Sequence, residues 1–176
     1  MTTRVAFLRA VNLGKRRVAM ARLKAVCEEL GYDAVFTHIN SGNVGFDAAG
    51  SRRTIESAME RACEVEFGFE CTTFVRSAAE LRKIVDATPF DVGSGDTHFV
   101  TFLKVAPTTS QRSALEGLSN EYETLVVNGS DVHWLMHGKS SDSRLTKRDW
   151  EKILGTNTST SRNTTMLRKL VARLER

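Results

Sequence analysis

The chain has 176 residues, with 25 basic against 21 acidic side chains and a formal net charge of +4 at neutral pH. Hydrophobic residues at 41% and charged residues at 26% are ordinary for a globular chain, so disorder, a collagen repeat and a disulfide scaffold are excluded. That length allows one ordinary domain or two small ones and buries roughly 70% of the unfolded surface, without need of a metal or disulfide. No apolar run approaches the ~20 residues that span a bilayer, so no membrane partner is expected. The short apolar stretch at the N-terminus carries arginines and is not expected to be a signal peptide.

In chain order, residues 4–8 (RVAFL) predict a first strand, followed by the polar loop Asn12-Leu13-Gly14-Lys15-Arg16-Arg17. Residues 20–30 predict a helix stopped by Gly31. Residues 33–39 and 43–47 predict two strands joined by the turn signal Asn40-Ser41-Gly42. A second helix over 52–67 ends near Gly68, and residues 70–76 predict a fourth strand. The order βαββαβ within residues 1–76 is a ferredoxin-like, split-βαβ half.

Residues 77–176 predict a second, less complete half. A helix over 78–87 ends before Pro89, with Leu81, Ile84 and Val85 as its apolar side. A strand at 97–104, a helix around 108–117, and strands at 121–127 and 131–136 follow, the last two joined through Asn128-Gly129, a strong hairpin signal. A short helix at 147–154 ends at Gly155. The polar run 156–161 then leads to a final helix over 162–175, giving βαββα with an extra C-terminal helix. The expected class is α+β, two ferredoxin-like halves with mainly antiparallel sheets.

Charge is unevenly distributed. Residues 1–46 carry seven basic and three acidic side chains, residues 47–138 eight and fourteen, and residues 139–176 ten and four. Two basic ends therefore flank an acidic middle. In a split βαβ unit, the end of the first strand and the turn between the second and third strands fall on one edge of the sheet. That edge gathers Arg9, Asn12, Gly14, Lys15, Ser41, Gly42 and Asn43, with the start of the first helix beside them. Backbone amides, cations and Asn/Ser donors at a helix N-terminus suit an anion. The competing reading is turn chemistry, with the glycines serving turns and the asparagines capping backbone. Gly14-Lys15 lacks the GxxxxGK[ST] pattern of a P-loop.

The run Thr160-Ser161-Arg162-Asn163-Thr164-Thr165, read as the start of the final helix, is a second candidate anion site; Lys139, Arg144, Lys147 and Arg148 precede it. Its competing reading is a helix cap with a solvated arginine. His38, His98, His133 and His137 show no metal-ligand spacing, so no metal and no cofactor are expected. The cysteines Cys27, Cys63 and Cys71 are odd in number and lack a CxxC. Cys27 and Cys63 fall on apolar helical stripes and read as buried reduced thiols, which points to a reducing cytoplasm. No RNP1-like signature is present, and the aromatic residues are too scattered for a stacking platform.

The segments FLRAVNLGKRRVAMARLKAVCEELGY, HINSGNVGF, FGFECTTFVRSAAELRKIV and SRLTKRDWEKILGTNTSTSRNTTMLRKL resemble, in order and over nearly the whole chain, the family called domain of unknown function 1697. The resemblance implies two ferredoxin-like halves, a bacterial distribution and no established activity. It also implies Arg9, Asn12, Gly14, Ser41, Gly42, Asn43, Arg162 and Asn163 as signature positions. Ala10 stands where the family usually has Gly, and Thr164 where it often has Trp.

Three functions stay open on the sequence. The first is a binding module for a phosphate-bearing ligand, nucleotide or nucleic acid. The second is an enzyme on a small anionic substrate in the same pocket, and the third a scaffold or oligomer without catalysis. If the edge is a ligand pocket, changing Arg9 and Asn43 together to Ala abolishes binding and leaves the melting temperature nearly unchanged.

Overall fold

The computed structural model describes residues 1–175. The chain forms two compact units. One is Met1–Lys83 together with the segment from Leu170 onward, and the other is Ile84–Lys169. The sequence reading divides the chain at 76/77; the compact units divide seven residues later, at 83/84, with the end of the last helix in the first unit.

The first unit runs β1 (Thr2–Leu8), α1 (Met20–Glu29), β2 (Asp33–His38), β3 (Asn43–Ala48), α2 (Arg52–Phe67) and β4 (Thr73–Ser77), leading into α3 (Ala78–Asp86). Its sheet has the order β2-β3-β1-β4, every neighbouring pair antiparallel. β1 is central, and its Val5-Ala6-Phe7-Leu8 run is buried on both faces, which is why it reads as continuous rather than alternating hydrophobics. Leu23, Val26 and Cys27 of α1 and Ile55, Met59 and Cys63 of α2 form one core with Ala6, Leu8, Val44, Phe46 and Val75. The helical stripes at three- and four-residue spacing produce this packing. Ser51 caps α2 by accepting from the Thr54 N–H, and the Gly68 N–H donates to the Glu64 carbonyl at its other end. On the surface Arg22 clasps Glu66 across the two helices, Nε to Oε1 at 2.5 Å and Nη2 to Oε2 at 2.9 Å.

The second unit contains β5 (Thr97–Leu103), α4 (Thr109–Glu116), β6 (Glu123–Asn128), β7 (Asp131–Met136), α5 (Lys147–Leu154), β8 (Ser159–Asn163) and the first part of α6 (Thr164–Leu174). Its sheet order, β6-β7-β5-β8, repeats the first unit's with all pairs antiparallel. Trp150 and Leu154 of α5 pack with Leu103, Leu115, Leu125, Val127 and Val132.

β8 corrects the sequence reading of βαββα. Ser159–Asn163 is a strand paired to β5 from Phe99↔Asn163 to Leu103↔Ser159, and α6 begins only at Thr164. The second unit is therefore a full βαββαβ plait. STSRN carries no apolar residue, so it has no alternating pattern to read. It holds its place through the β5 ladder and through Thr101, whose hydroxyl lies 2.7 Å from that of Ser161.

In both units, side chains of a neighbouring helix, or of the turn that follows it, satisfy N–H groups of an edge strand. Glu60 accepts from Thr73 N at 2.9 Å and Glu56 from Val75 N at 2.8 Å on β4. On β6, Ser119 Oγ accepts from Leu125 N and Glu116 Oε1 from Val127 N, each at 3.0 Å. Occupied edge donors are not available to a further strand.

A buried histidine pair spans β5 and β7. His98 Nε2 lies 3.0 Å from His133 Nδ1, and Phe90 meets His98 edge-on at 5.5 Å. His133 Nε2 is buried with no hydrogen-bond partner among the described residues. Burial, then the charges of His133 and Arg168, push His98 down to about 4; burial also lowers His133. Both rings are thus neutral when folded, whereas the unfolded chain takes up protons near the ordinary histidine value. Stability is complete above that value and falls with pH from about 6.5 to about 4. Urea denaturation between these limits is expected to show a loss of about 3 kcal/mol relative to a His98→Leu/His133→Leu variant.

Candidate functional site

The β2-β3-β1 order sets the end of β1 beside the β2–β3 turn, as the sequence implied. Leu8 N donates to Gly42 O at 2.8 Å. Gly42 has φ +73°, and a Cβ there would stand 2.5 Å from Val11 Cγ2 and 3.0 Å from Leu8 Cβ, so only glycine fits this crossing. Ala10 (φ 53°) and Asn12 (φ 57°) are both left-handed and turn the chain away from β1. The left-handed backbone at position 10 is one that glycine adopts most easily. Asn12 N then donates to Arg16 O at 2.7 Å and closes a small loop with Gly14 at its tip.

The Asn12 side chain fastens this loop in three places. Its Nδ2 donates to Val18 O (3.1 Å) and across to Asn40 O in the β2–β3 turn (2.8 Å), and its Oδ1 accepts from Val18 N (2.9 Å). Asn43 is fully buried and donates to His38 O (3.0 Å) and Ser41 Oγ (2.9 Å), which shapes the turn from inside. On the other side Arg9 N donates to Thr72 O (2.8 Å). Arg16 reaches Glu70 O (3.5 Å), with its guanidinium 5.4 Å from the Phe69 ring centre. The loop is thereby tied to both neighbouring segments.

Its charged side chains are treated differently. Arg9 is half-buried, and Lys15, Arg16 and Arg17 are exposed. Among the described residues, the side chains of Arg9, Lys15 and Arg17 make no hydrogen bond or ion pair. The loop leads into α1, whose N-cap, Ala19, makes no side-chain cap bond and whose first turn has no acidic residue. The positive end of that helix therefore adds to the loop's charge. The clefts described in the first unit, of about 420 and 380 Å³, are lined by α1 and α2 residues and by the segment around Cys71, not by residues 9–17 or 40–43.

Of the residues singled out in the sequence, Arg9, Asn12, Gly14, Lys15, Ser41, Gly42 and Asn43 do gather at one edge. Within that set, Asn12, Ser41, Gly42 and Asn43 engage the protein's own backbone and side chains, while Arg9 and Lys15 keep their charges unmatched. Arg17 shares that property, and its signal was the Lys15-Arg16-Arg17 run itself. Arg162 and Asn163 belong to the second unit. There the hydroxyl-rich run is a strand rather than a helix start, and its groups are turned to one another. Arg162 donates to Thr160 Oγ1 (2.8 Å) and Ser161 O (3.0 Å), and burial lowers it to about 10. Asn163 Oδ1 accepts from Thr165 N (2.8 Å), and Thr164 Oγ1 donates to His98 O (3.1 Å).

The geometry defines a class: a two-unit α+β protein, each unit a βαββαβ plait, with a fastened cationic loop at one sheet edge. The family model described as Protein of unknown function (DUF1697) matches residues 1–133, and the chain belongs to that family. The matched span contains both the loop and the turn. Among solved structures, the chain is similar to one described as the conserved bacterial protein SP0830 from Streptococcus pneumoniae. The TM-score is 0.74 at 20% identity, over 100% of this chain and 99% of that one, a likeness of fold. No curated protein matches the sequence significantly. No helix among the described residues is long and apolar enough to cross a membrane.

The expectation that Asn43 can be removed without thermal cost is corrected by its burial. Asn43→Ala and Asn12→Ala are each expected to lower unfolding free energy by about 1–3 kcal/mol, because Asn43 loses its bonds to His38 O and Ser41 Oγ from a fully buried position and Asn12 its bonds to Val18 and Asn40. Lys15→Ala is expected to change it by less than about 0.5 kcal/mol. Thermal and urea denaturation of the three variants checks this.

Proposed function

We propose that the edge made by the Arg9–Arg17 loop and the Asn40–Asn43 turn is a binding surface for a phosphate-bearing polyanion, with nucleic acid as the ligand class. The observation that carries this reading is the pairing of two properties in one loop. Its backbone is held by the Asn12 side chain, and Arg9, Lys15 and Arg17 have no protein partner among the described residues. A rigid backbone bearing unmatched cations loses little freedom on binding and gains counterion release. The described clefts are lined by other residues, which favours an extended ligand lying across the surface over a small molecule enclosed in a pocket. On this reading Arg9, Lys15 and Arg17 contact phosphates. Asn12, Ser41, Gly42 and Asn43 hold them in place, while Arg162 bonds within β8 and Asn163 serves the start of α6. Phosphate contacts position a ligand without reading its bases, so weak sequence preference is expected.

Fluorescence anisotropy with a short labelled single-stranded DNA, repeated between roughly 50 and 200 mM salt, tests the reading. Binding should weaken with salt, and the Arg9→Gln/Lys15→Gln/Arg17→Gln variant should lose about tenfold or more in affinity and flatten the log–log slope by roughly two to three. Absent binding, salt-independent binding, or an unaffected variant of native stability overturns it.

A further inference from the structure

The loop and turn that carry the cations also carry two exposed apolar side chains, which the polyanion reading leaves unused. Among the described residues six large hydrophobics are exposed, and two of them, Leu13 at 65% and Ile39 at 57%, belong to this edge. They stand next in sequence to the two ends of the Asn12–Asn40 hydrogen bond, so one bridge fixes both. Leu13 is held further by its carbonyl, which accepts from Arg16 N at 3.1 Å. Ile39 has φ +50°, a left-handed conformation that a β-branched residue rarely adopts. The carbonyls on either side of it are both engaged, His38 O by the Asn43 amide at 3.0 Å and Asn40 O by the Asn12 amide at 2.8 Å. A glycine or an asparagine would fit this backbone with less strain, yet the position holds an apolar side chain out in solvent. Strain that neighbours hold in place is concentrated at ligand-contacting positions.

We propose that Leu13 and Ile39 contact the bases of the nucleic acid whose phosphates meet Arg9, Lys15 and Arg17, and that the edge thereby selects single strands over duplex. This rests on the polyanion reading and names its ligand more closely.

Phosphates offer an aliphatic side chain nothing, whereas the faces of the bases are apolar. In a duplex those faces are stacked on one another, and pushing a side chain between them costs unstacking. In a single strand they are open. Charge alone pulls the other way, because a duplex carries the higher phosphate density and releases more counterions per contact. A preference for single strands therefore has to come from apolar contacts, and the edge sets two of them among its cations. An aliphatic side chain covers a base face without reading its hydrogen-bonding edge, so the contact adds affinity and little sequence preference. Because both side chains stand on bonded backbone, little freedom is lost when they are covered. A bilayer is a poorer match for this surface: two side chains offer less apolar area than the single acyl chain that by itself binds a membrane only marginally.

Fluorescence anisotropy of the full chain with a short labelled DNA strand, and with the duplex of the same length, tests this at one salt concentration and then across a salt series. The expected result is at least about tenfold tighter binding of the single strand, against the direction that charge favours. Leu13→Ser/Ile39→Asn should lose about tenfold in single-strand affinity, keep its duplex affinity and leave the log–log salt slope unchanged. Asparagine suits the left-handed backbone at position 39, so this variant should melt no lower than the wild type, and a loss of binding is then not a loss of fold. Leu13→Ser alone, an exposed substitution, should show part of the same loss and serves where the double variant is unstable. Leu13→Met/Ile39→Val, apolar at both positions, should bind as the wild type does. If both DNAs bind with salt dependence but the wild type holds the duplex as tightly as the single strand, or the folded Leu13→Ser/Ile39→Asn variant keeps full single-strand affinity, this proposal is overturned and the polyanion reading stands. Binding of neither DNA overturns both. Capture of phosphatidylserine vesicles by the wild type but not by the Leu13→Ser/Ile39→Asn variant, with no strand preference, overturns it in favour of a membrane surface.

Discussion

The edge of the first unit depends on one side-chain amide. Asn12 spends both ends of its carboxamide on backbone, closing its own loop through Val18 and bridging to Asn40 of the facing turn. Without that bridge, the loop's polar ties to neighbouring segments would be Arg9 N to Thr72 O and Arg16 to Glu70 O, beside the packing of Val11 and Val18 in the core. The amide is suited to the task because it offers donors and an acceptor without charge. Its left-handed backbone also tolerates Asn better than most residues. Ala10, likewise left-handed and without such a side chain, carries strain that the rest of the loop must hold.

The same economy recurs at sheet level. Two units with the same strand order each leave edge strands, and in each the neighbouring helical segment supplies acceptors to the edge N–H groups. Glu56 and Glu60 do so for β4, and Glu116 with Ser119 for β6. Charged residues that look like solvated helix faces in the sequence thus have fixed structural work. Glu123, the first residue of β6, does comparable work on a strand. It is buried, and its carboxylate accepts from Trp134 Nε1, Ser143 Oγ and Arg144 N, which keep it below the usual carboxylate range and order the chain leading to α5.

Most of the fold was legible because hydrophobic periodicity dominates it: the helix stripes of α1 and α2, the continuous apolar run of β1 and the Asn128-Gly129 hairpin all carry local signals. β8 was not, since STSRN owes its conformation to the β5 ladder rather than to its own residues. The convergence of the 9–17 loop with the 40–43 turn was legible from topology alone. The division of labour inside that edge was not. Asparagine and lysine at neighbouring positions look equally available in a sequence. In the folded chain Asn12 and Asn43 are bonded inward while Lys15 stands exposed.

The proposed function separates two roles, with the asparagines as fasteners and the cations as the binding groups. Amide chemical shifts followed by NMR during titration with a short single-stranded DNA test it most directly. The account predicts shifts concentrated in the backbone of residues 9 and 13–17 and at Asn40, with the side-chain NH2 signals of Asn12 and Asn43 unmoved. Shifts confined to other segments, or large displacement of the two asparagine side-chain signals, would contradict it.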